Sequence, residues 1–172
     1  MFSKFILLFS SATLGLSILG FLFPKLRYGI VPRTTIGLIG IVCSPMFHKN
    51  PKHLLSNSIP FVSLVFLLYH FYPSKADVTV CCMLVSGGVL LWLFGKKANH
   101  IGASGLIYGL AGFLITQGFI SSKTSLIGIS IFIILIYGSL WKGLLPFQRK
   151  NISWEGHFLY AIAGILSTYL WS

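Results

Sequence analysis

Four polar residues sit where an otherwise apolar chain has least reason to keep them: His53, Asn57, Ser104 and His157. Inside a long hydrophobic run such a side chain is costly, so each is a functional hypothesis. His53 and Asn57 are four residues apart, which on a helix puts both side chains on one face, one turn from each other. Both can donate hydrogen bonds, and two donors on a rigid helix suit a developing oxyanion, each worth about 3 to 4 kcal/mol where such donors have been removed. The same pair would serve equally well as polar glue between helices in a membrane.

The stretch Gly102-Ala103-Ser104-Gly105 is a G-x-S-G where a loop passes into an apolar run, and its small residues let a substrate backbone approach the hydroxyl. Glycines beside a serine also serve close helix packing, and Gly105 with Gly109 forms a G-x-x-x-G of its own. A serine hydroxyl is a poor nucleophile until an adjacent base takes its proton, and His157 is the natural base. Neither acid of the chain is placed to orient that imidazole. Asp77 lies in the connection after the second apolar run, on the opposite side of a membrane, and Glu155 is two residues from His157, on another helix face. Glu155 rather favours the helix start, behind Ser153 as N-cap. The chemistry these residue types allow is acyl transfer by a Ser-His dyad, its imidazole held by packing rather than by a carboxylate.

The elements that must position these residues follow from composition. The 172 residues are 55% hydrophobic and 9% charged, with a mean hydropathy of +0.87. Soluble domains carry about 25% charged residues, so the solvent here is lipid. Six runs are long enough to cross roughly 30 Å of hydrocarbon as helices, which alone satisfy their own backbone there. They are Phe5–Phe23, His53–Phe71, Val78–Phe94, Ser104–Ile120, Thr124–Trp141 and Glu155–Trp171. The first is followed by Pro24, Lys25 and Arg27 rather than by a cleavage site, and reads as a retained span, not a signal peptide. The connection from Pro24 to Lys52 contains an apolar stretch, Ile36 to Met46, broken by Gly37, Gly40 and Pro45. Too short to span and too apolar for water, it reads as partly membrane-embedded, and irregular backbone at that depth needs protein or a wet cavity around it. With no repeat or low-complexity tract, the expectation is one all-α membrane domain over residues 1–172.

Thirteen Lys and Arg against two acids give a formal net charge of +11. The cations stand singly or in pairs between apolar runs, which is headgroup anchoring and not a nucleic-acid footprint. Cys43, Cys81 and Cys82 have no C-x-x-C spacing, so neither a disulfide framework nor a zinc site is expected. A channel or transporter would call for acids at mid-membrane, and the spans hold none.

Taken together, the motifs resemble those of the rhomboid intramembrane serine proteases, in the six-span bacterial form. The resemblance rests on His53-Leu54-Leu55-Ser56-Asn57, on Gly102 to Ser104 and Gly105, and on His157 in the last run. Phe47-His48, five residues ahead of His53, matches a second loop histidine. Gly29-Ile30-Val31-Pro32-Arg33 with Gly37 and Gly40, and Ser153-Trp154-Glu155-Gly156-His157, extend it. The resemblance implies a six-helix bundle with a long embedded first loop, Ser104 as nucleophile and His157 as base. It further implies His53, Asn57 and the Ser104 amide as oxyanion hole, with His48 supporting and Tyr108 packed on the histidine. Expected partners are transmembrane-protein substrates and the bilayer, with no metal, organic cofactor or nucleic acid; the oligomeric state is left open. One residue departs from the pattern: Tyr160 stands where the family often has glycine, three residues after His157, with Gly164 one turn on. A tyrosine there would hold the two helices apart, and the rival reading is a catalytically weak or inactive relative that binds membrane clients.

His70 reads as interfacial, and His100 as a hydrogen-bonding residue of the loop before Ser104. Topology is in conflict. Lys25, Arg27, Arg33, Lys49, Lys52, Lys96, Lys97, Lys142, Arg149 and Lys150 fall on the side of the long first loop, against Lys4, Lys75 and Lys123 opposite. Counted so, the site would face the cytoplasm. The resemblance implies a bacterial inner membrane with the site opening on the exoplasmic side, and that is the expectation adopted.

Overall fold

A computed structural model describes residues 2–121, 123–138, 143–145 and 153–171. Among them the chain is helical, with no strand and one isolated antiparallel bridge. The helices are α1 (Lys4–Leu22), α2 (Thr35–Cys43), α3 (Pro51–Phe71), α4 (Ala76–Phe94), α5 (Ser104–Ile120), α6 (Thr124–Ile136) and α7 (Trp154–Leu166). The last continues as a 3₁₀ turn, Ser167–Trp171.

The expectation of six spanning helices is met in part. Seven helices are present among the described residues, and α1, α3 and α4 are those long and apolar enough to cross a membrane by themselves. The run expected to reach Trp141 stops as a helix at Ile136, and Trp141 lies outside the described residues. Thirteen residues of α6 reach about 20 Å, short of the hydrocarbon thickness. Where α6 ends, the Tyr137 hydroxyl bonds Ser63 of α3 at 2.6 Å, tying the two helices. The stretch 36–46 is α2 followed by a 3₁₀ turn, Ser44–Met46. Asp77, expected in a connection, is in the first turn of α4, where Ser3 (2.7 Å) and Tyr69 both donate to its carboxylate. This knot joins the start of α1 to the end of α3 and the start of α4.

Local sequence accounts for the helix starts. Asn50 caps α3 by accepting from His53 N (2.9 Å), with Pro51 at the first helical position, where a missing N–H costs nothing. Thr34 caps α2 through Gly37 N, and Ser153 caps α7 through Gly156 N, each at 3.2 Å. The core runs between α3, α4, α5 and α7 through Leu64, Leu68, Val80, Met83, Leu110 and Phe113. Outward faces are equally apolar, with Leu8, Ile59, Leu135 and Phe94 exposed. That pattern suits lipid, and it leaves internal partners as the means of satisfying polar groups. Ser130 of α6, fully buried, reaches the Leu114 and Ile115 carbonyls of α5 (3.3 and 3.1 Å).

Small residues bring the site helices together. A Cβ on Gly112 would lie 2.8 Å from the Ala161 carbonyl oxygen, so α5 and α7 touch backbone to backbone. Gly37 and Gly40 do the same for α2: a Cβ on either would sit 2.0 Å from the carbonyl oxygens of Val31 and Gly29, respectively. The Tyr160 ring fits between two glycines, for a Cβ would lie 2.5 Å from it on Gly87 of α4 and 2.8 Å from it on Gly105 of α5. Its hydroxyl hydrogen-bonds Ser44. The expected separation of α5 and α7 by this tyrosine does not occur, because α4 and α5 have given up side chains to make room.

Candidate active site

Ser104 is the first residue of α5 and His157 lies in the first turn of α7. Ser104 Oγ is 3.0 Å from His157 Nε2. The imidazole is buried and stacks on Tyr108, one helical turn after Ser104, with ring centroids 4.1 Å apart and planes 12° from parallel. Its other nitrogen, Nδ1, lies 3.0 Å from a backbone oxygen, the Gly143 carbonyl, where packing alone was expected.

The loop bearing the serine is held from three directions. Ile30 and His100 exchange both backbone hydrogen bonds at 3.0 Å, the Gly102 amide donates to Ser44 O (2.8 Å), and the Ala103 amide donates to His48 Nε2 (3.3 Å). All three partners, Ile30, Ser44 and His48, belong to the long first connection, which explains its motif: Gly29 faces His100 so closely that a Cβ would stand 2.4 Å from that residue's carbonyl oxygen. His48 is fully buried, and its Nδ1 contacts Ser17 Oγ of α1 at 2.9 Å. Ser17 spends its single hydroxyl proton on Met46 O (2.8 Å), so His48 Nδ1 carries the proton and Nε2 is free to accept from Ala103. Burial, and then the neighbouring His53, lower its pKa to about 4.

His53 and Asn57 converge on Gly102. The Lys49 amide donates to His53 Nδ1 (3.4 Å), which leaves Nε2 as the proton-bearing nitrogen of a neutral ring. A Cβ on Gly102 would lie 3.1 Å from His53 Nε2 and 3.4 Å from Asn57 Nδ2. Glycine is required there twice over, by those neighbours and by a φ of +117°. Asn57 Nδ2 is buried and has no hydrogen-bond partner among the described residues. Buried donors are nearly always paired, so an unpaired one beside the loop that carries Ser104 is unusual. The α5 N-terminus adds unpaired amides and the positive end of its dipole at the same place.

The four residues singled out by type and spacing, Ser104, His157, His53 and Asn57, and the two that the resemblance added, His48 and Tyr108, thus lie around one loop and the starts of α3, α5 and α7. Sequence reasoning missed one contributor. Gly143 acts through a backbone carbonyl, for which no residue type is a signal. His100 bonds Ser153 Oγ (2.7 Å) and the Lys96 carbonyl (2.8 Å), linking the serine loop to the cap of the helix that carries His157. His70 is exposed and stacked on Phe66, away from the site. Among the described residues no group of three His, Cys, Asp or Glu side chains could hold a metal ion. The arrangement is equipped for proton transfer between an oxygen and an imidazole beside converging hydrogen-bond donors.

Comparison with known proteins agrees on the family. Residues 37–172 match the model of the Rhomboid domain. Uncharacterized proteins of Mycobacterium bovis and Mycobacterium tuberculosis are each 36% identical over 152 residues, covering 84% of this chain and 63% of theirs. One of Mycobacterium leprae is 33% identical over 144 residues, 78% of this chain and 57% of its own. The chain therefore spans about three fifths of the length of the curated relatives it matches. No solved structure matches it at a significant level. With a family match over most of its length and apolar helices to carry it, this integral membrane protein belongs to the rhomboid family.

Proposed function

We propose that the protein is an intramembrane serine endopeptidase, with Ser104 as nucleophile and His157 as general base. The observation that carries this reading is the 3.0 Å approach of Ser104 Oγ to His157 Nε2 beside the unpaired, buried Asn57 amide. Ser104 Oγ attacks the scissile carbonyl carbon while its proton passes to His157 Nε2. The resulting oxyanion takes hydrogen bonds from His53 Nε2, Asn57 Nδ2 and the Ser104 amide. Collapse breaks the C–N bond, the leaving amine takes the proton from Nε2, and an ester remains on Ser104. Water then attacks that ester, its proton going to His157, which passes it to Ser104 Oγ as the ester C–O bond breaks and the carboxylic acid leaves.

Substrates are membrane proteins cut within or near a transmembrane segment. A helix must unwind before its carbonyl reaches Ser104, so small or helix-breaking residues at the cleavage site are favoured. In this reading α1, α3, α4, α5, α6 and α7 are six spans of a bacterial inner-membrane protein and the site opens on the exoplasmic side. A reporter fused to the C-terminus tests the orientation: an external C-terminus would overturn it. The client-binding alternative draws its force from Tyr160, and the fit of that ring between Gly87 and Gly105 supports the protease reading over it.

A fluorophosphonate probe tests the chemistry. Labelling of the folded parent, absent in Ser104→Ala and His157→Ala, is the expected result. A folded parent that stays unlabelled beside a labelled active serine protease would refute the assignment.

A further inference from the structure

The bond from His157 Nδ1 to the Gly143 carbonyl has one possible direction. A carbonyl oxygen has no proton to give, so the 3.0 Å contact is a hydrogen bond only when Nδ1 carries the proton. In a neutral ring that leaves Nε2 with its lone pair, and Nε2 faces Ser104 Oγ. The backbone of one glycine thereby selects the tautomer that can accept the serine proton; the other tautomer would point an N–H at the hydroxyl and could not.

Nothing larger than glycine fits where Gly143 stands. A Cβ there would lie 2.0 Å from the Tyr108 hydroxyl oxygen and 3.0 Å from His157 Nδ1 itself. Gly143 is thus wedged against the same Tyr108–His157 stack whose lower edge meets Ser104, and the segment joining α6 to α7 supplies it.

The geometry points to Gly143 as the positioning residue of the base: its carbonyl takes the place that a carboxylate takes in a Ser-His-Asp triad. That group sets the tautomer and steadies the imidazolium formed when Ser104 gives up its proton. A carbonyl does so as a dipole, without the cost of keeping a bare carboxylate in a site surrounded by lipid. This role rests on the protease reading, whereas the tautomer it fixes does not.

The test separates the two. In protein carrying ¹⁵N-histidine in detergent micelles, the His157 ring, assigned by the signals lost in His157→Ala, is expected to be protonated on Nδ1 and bare on Nε2. Gly143→Ala is expected to mix the tautomers and to slow fluorophosphonate labelling by about a hundredfold, the scale of a general base's contribution. The double variant Gly143→Ala with Tyr108→Phe removes the hydroxyl that the new Cβ meets, and is expected to recover most of that loss. A parent ring protonated on Nε2, or a Gly143→Ala variant that labels as fast as the parent, overturns the proposal. Should Gly143→Ala not fold, the parent spectrum decides. A parent with the Nδ1 proton that takes no label refutes the protease reading, and the positioning role with it, and leaves standing only the tautomer that the Gly143 carbonyl fixes.

Discussion

Gly109 and Gly164 meet backbone to backbone: a Cβ on Gly164 would stand 1.9 Å from the Gly109 carbonyl oxygen and 2.7 Å from its carbonyl carbon. No side chain can yield there, so any larger residue must move α5 and α7 apart, and Ser104 and His157 ride on those helices. Gly164→Ala is therefore expected to cost about 1–3 kcal/mol of stability through overpacking. Since a misplacement of about 1 Å costs on the order of a hundredfold in rate, probe labelling should fall far more than the unfolding midpoint. Labelling at the parent rate would show that the helix spacing does not set the reacting distance.

Tyr160 invites the opposite substitution, to the glycine that the resemblance leads one to expect there. Its ring is buried between Gly87 and Gly105, and removing it leaves a cavity that those glycines cannot fill. Tyr160→Gly is expected to destabilise by about 3–5 kcal/mol, as for other large aromatic deletions, and to lower activity with it. Tyr160→Phe gives up the Ser44 hydrogen bond, worth about 1 kcal/mol. Thermal unfolding in detergent distinguishes them; a more active, equally stable Tyr160→Gly variant would contradict this packing.

Asn57 should separate stability from activity. Its buried Nδ2 lacks a partner among the described residues, so the resting protein bears the desolvation of that group without a compensating bond. Asn57→Ala is expected to leave the unfolding temperature unchanged or raised while reducing labelling by about 10²–10³, the loss seen when one oxyanion donor is removed. A variant that is destabilised yet labels normally would make Asn57 a packing residue.

His48 makes folding sensitive to acid. Its pKa in the folded protein, about 4, lies below the ordinary 6.5, so between those values the unfolded chain binds the proton that the folded one refuses. Stability then rises with pH across that window and is level above it. Unfolding midpoints in detergent should fall as pH drops from 6.5 toward 4. The fall should be shallower in His48→Gln, which has no charge to bury; equal slopes in both proteins would assign the acid sensitivity elsewhere.

Much of the helical architecture was legible because lipid imposes a simple rule. The apolar runs predicted at Ser104–Ile120 and His53–Phe71 correspond to α5 and α3 within two residues, since a span must close its own backbone bonds. The end of α6 was not legible, because an apolar run continues past the point where Tyr137 turns to bond Ser63. The grouping of polar residues could be read from types and spacing, as with His53 and Asn57 on one helix face. Contacts made by backbone could not. The Gly143 carbonyl, the Ile30–His100 bridge and the Ser44 carbonyl under Gly102 depend on where distant segments come to rest, which no local pattern encodes. Tyr160 misled for a related reason: its size was evident, but the vacancies at Gly87 and Gly105 that receive it belong to two other helices.

The anchoring of the serine loop bears on how the protein is made. Ala103 leans on His48, 55 residues earlier in the chain, and Ser104 meets His157, 53 residues later. The second contact cannot exist in a nascent chain until α7 has been threaded into the bilayer beside the rest. Under the protease reading, biosynthesis thus keeps the hydroxyl inert until α7 is in place, and the newborn enzyme cannot cut its neighbours, or itself, before then.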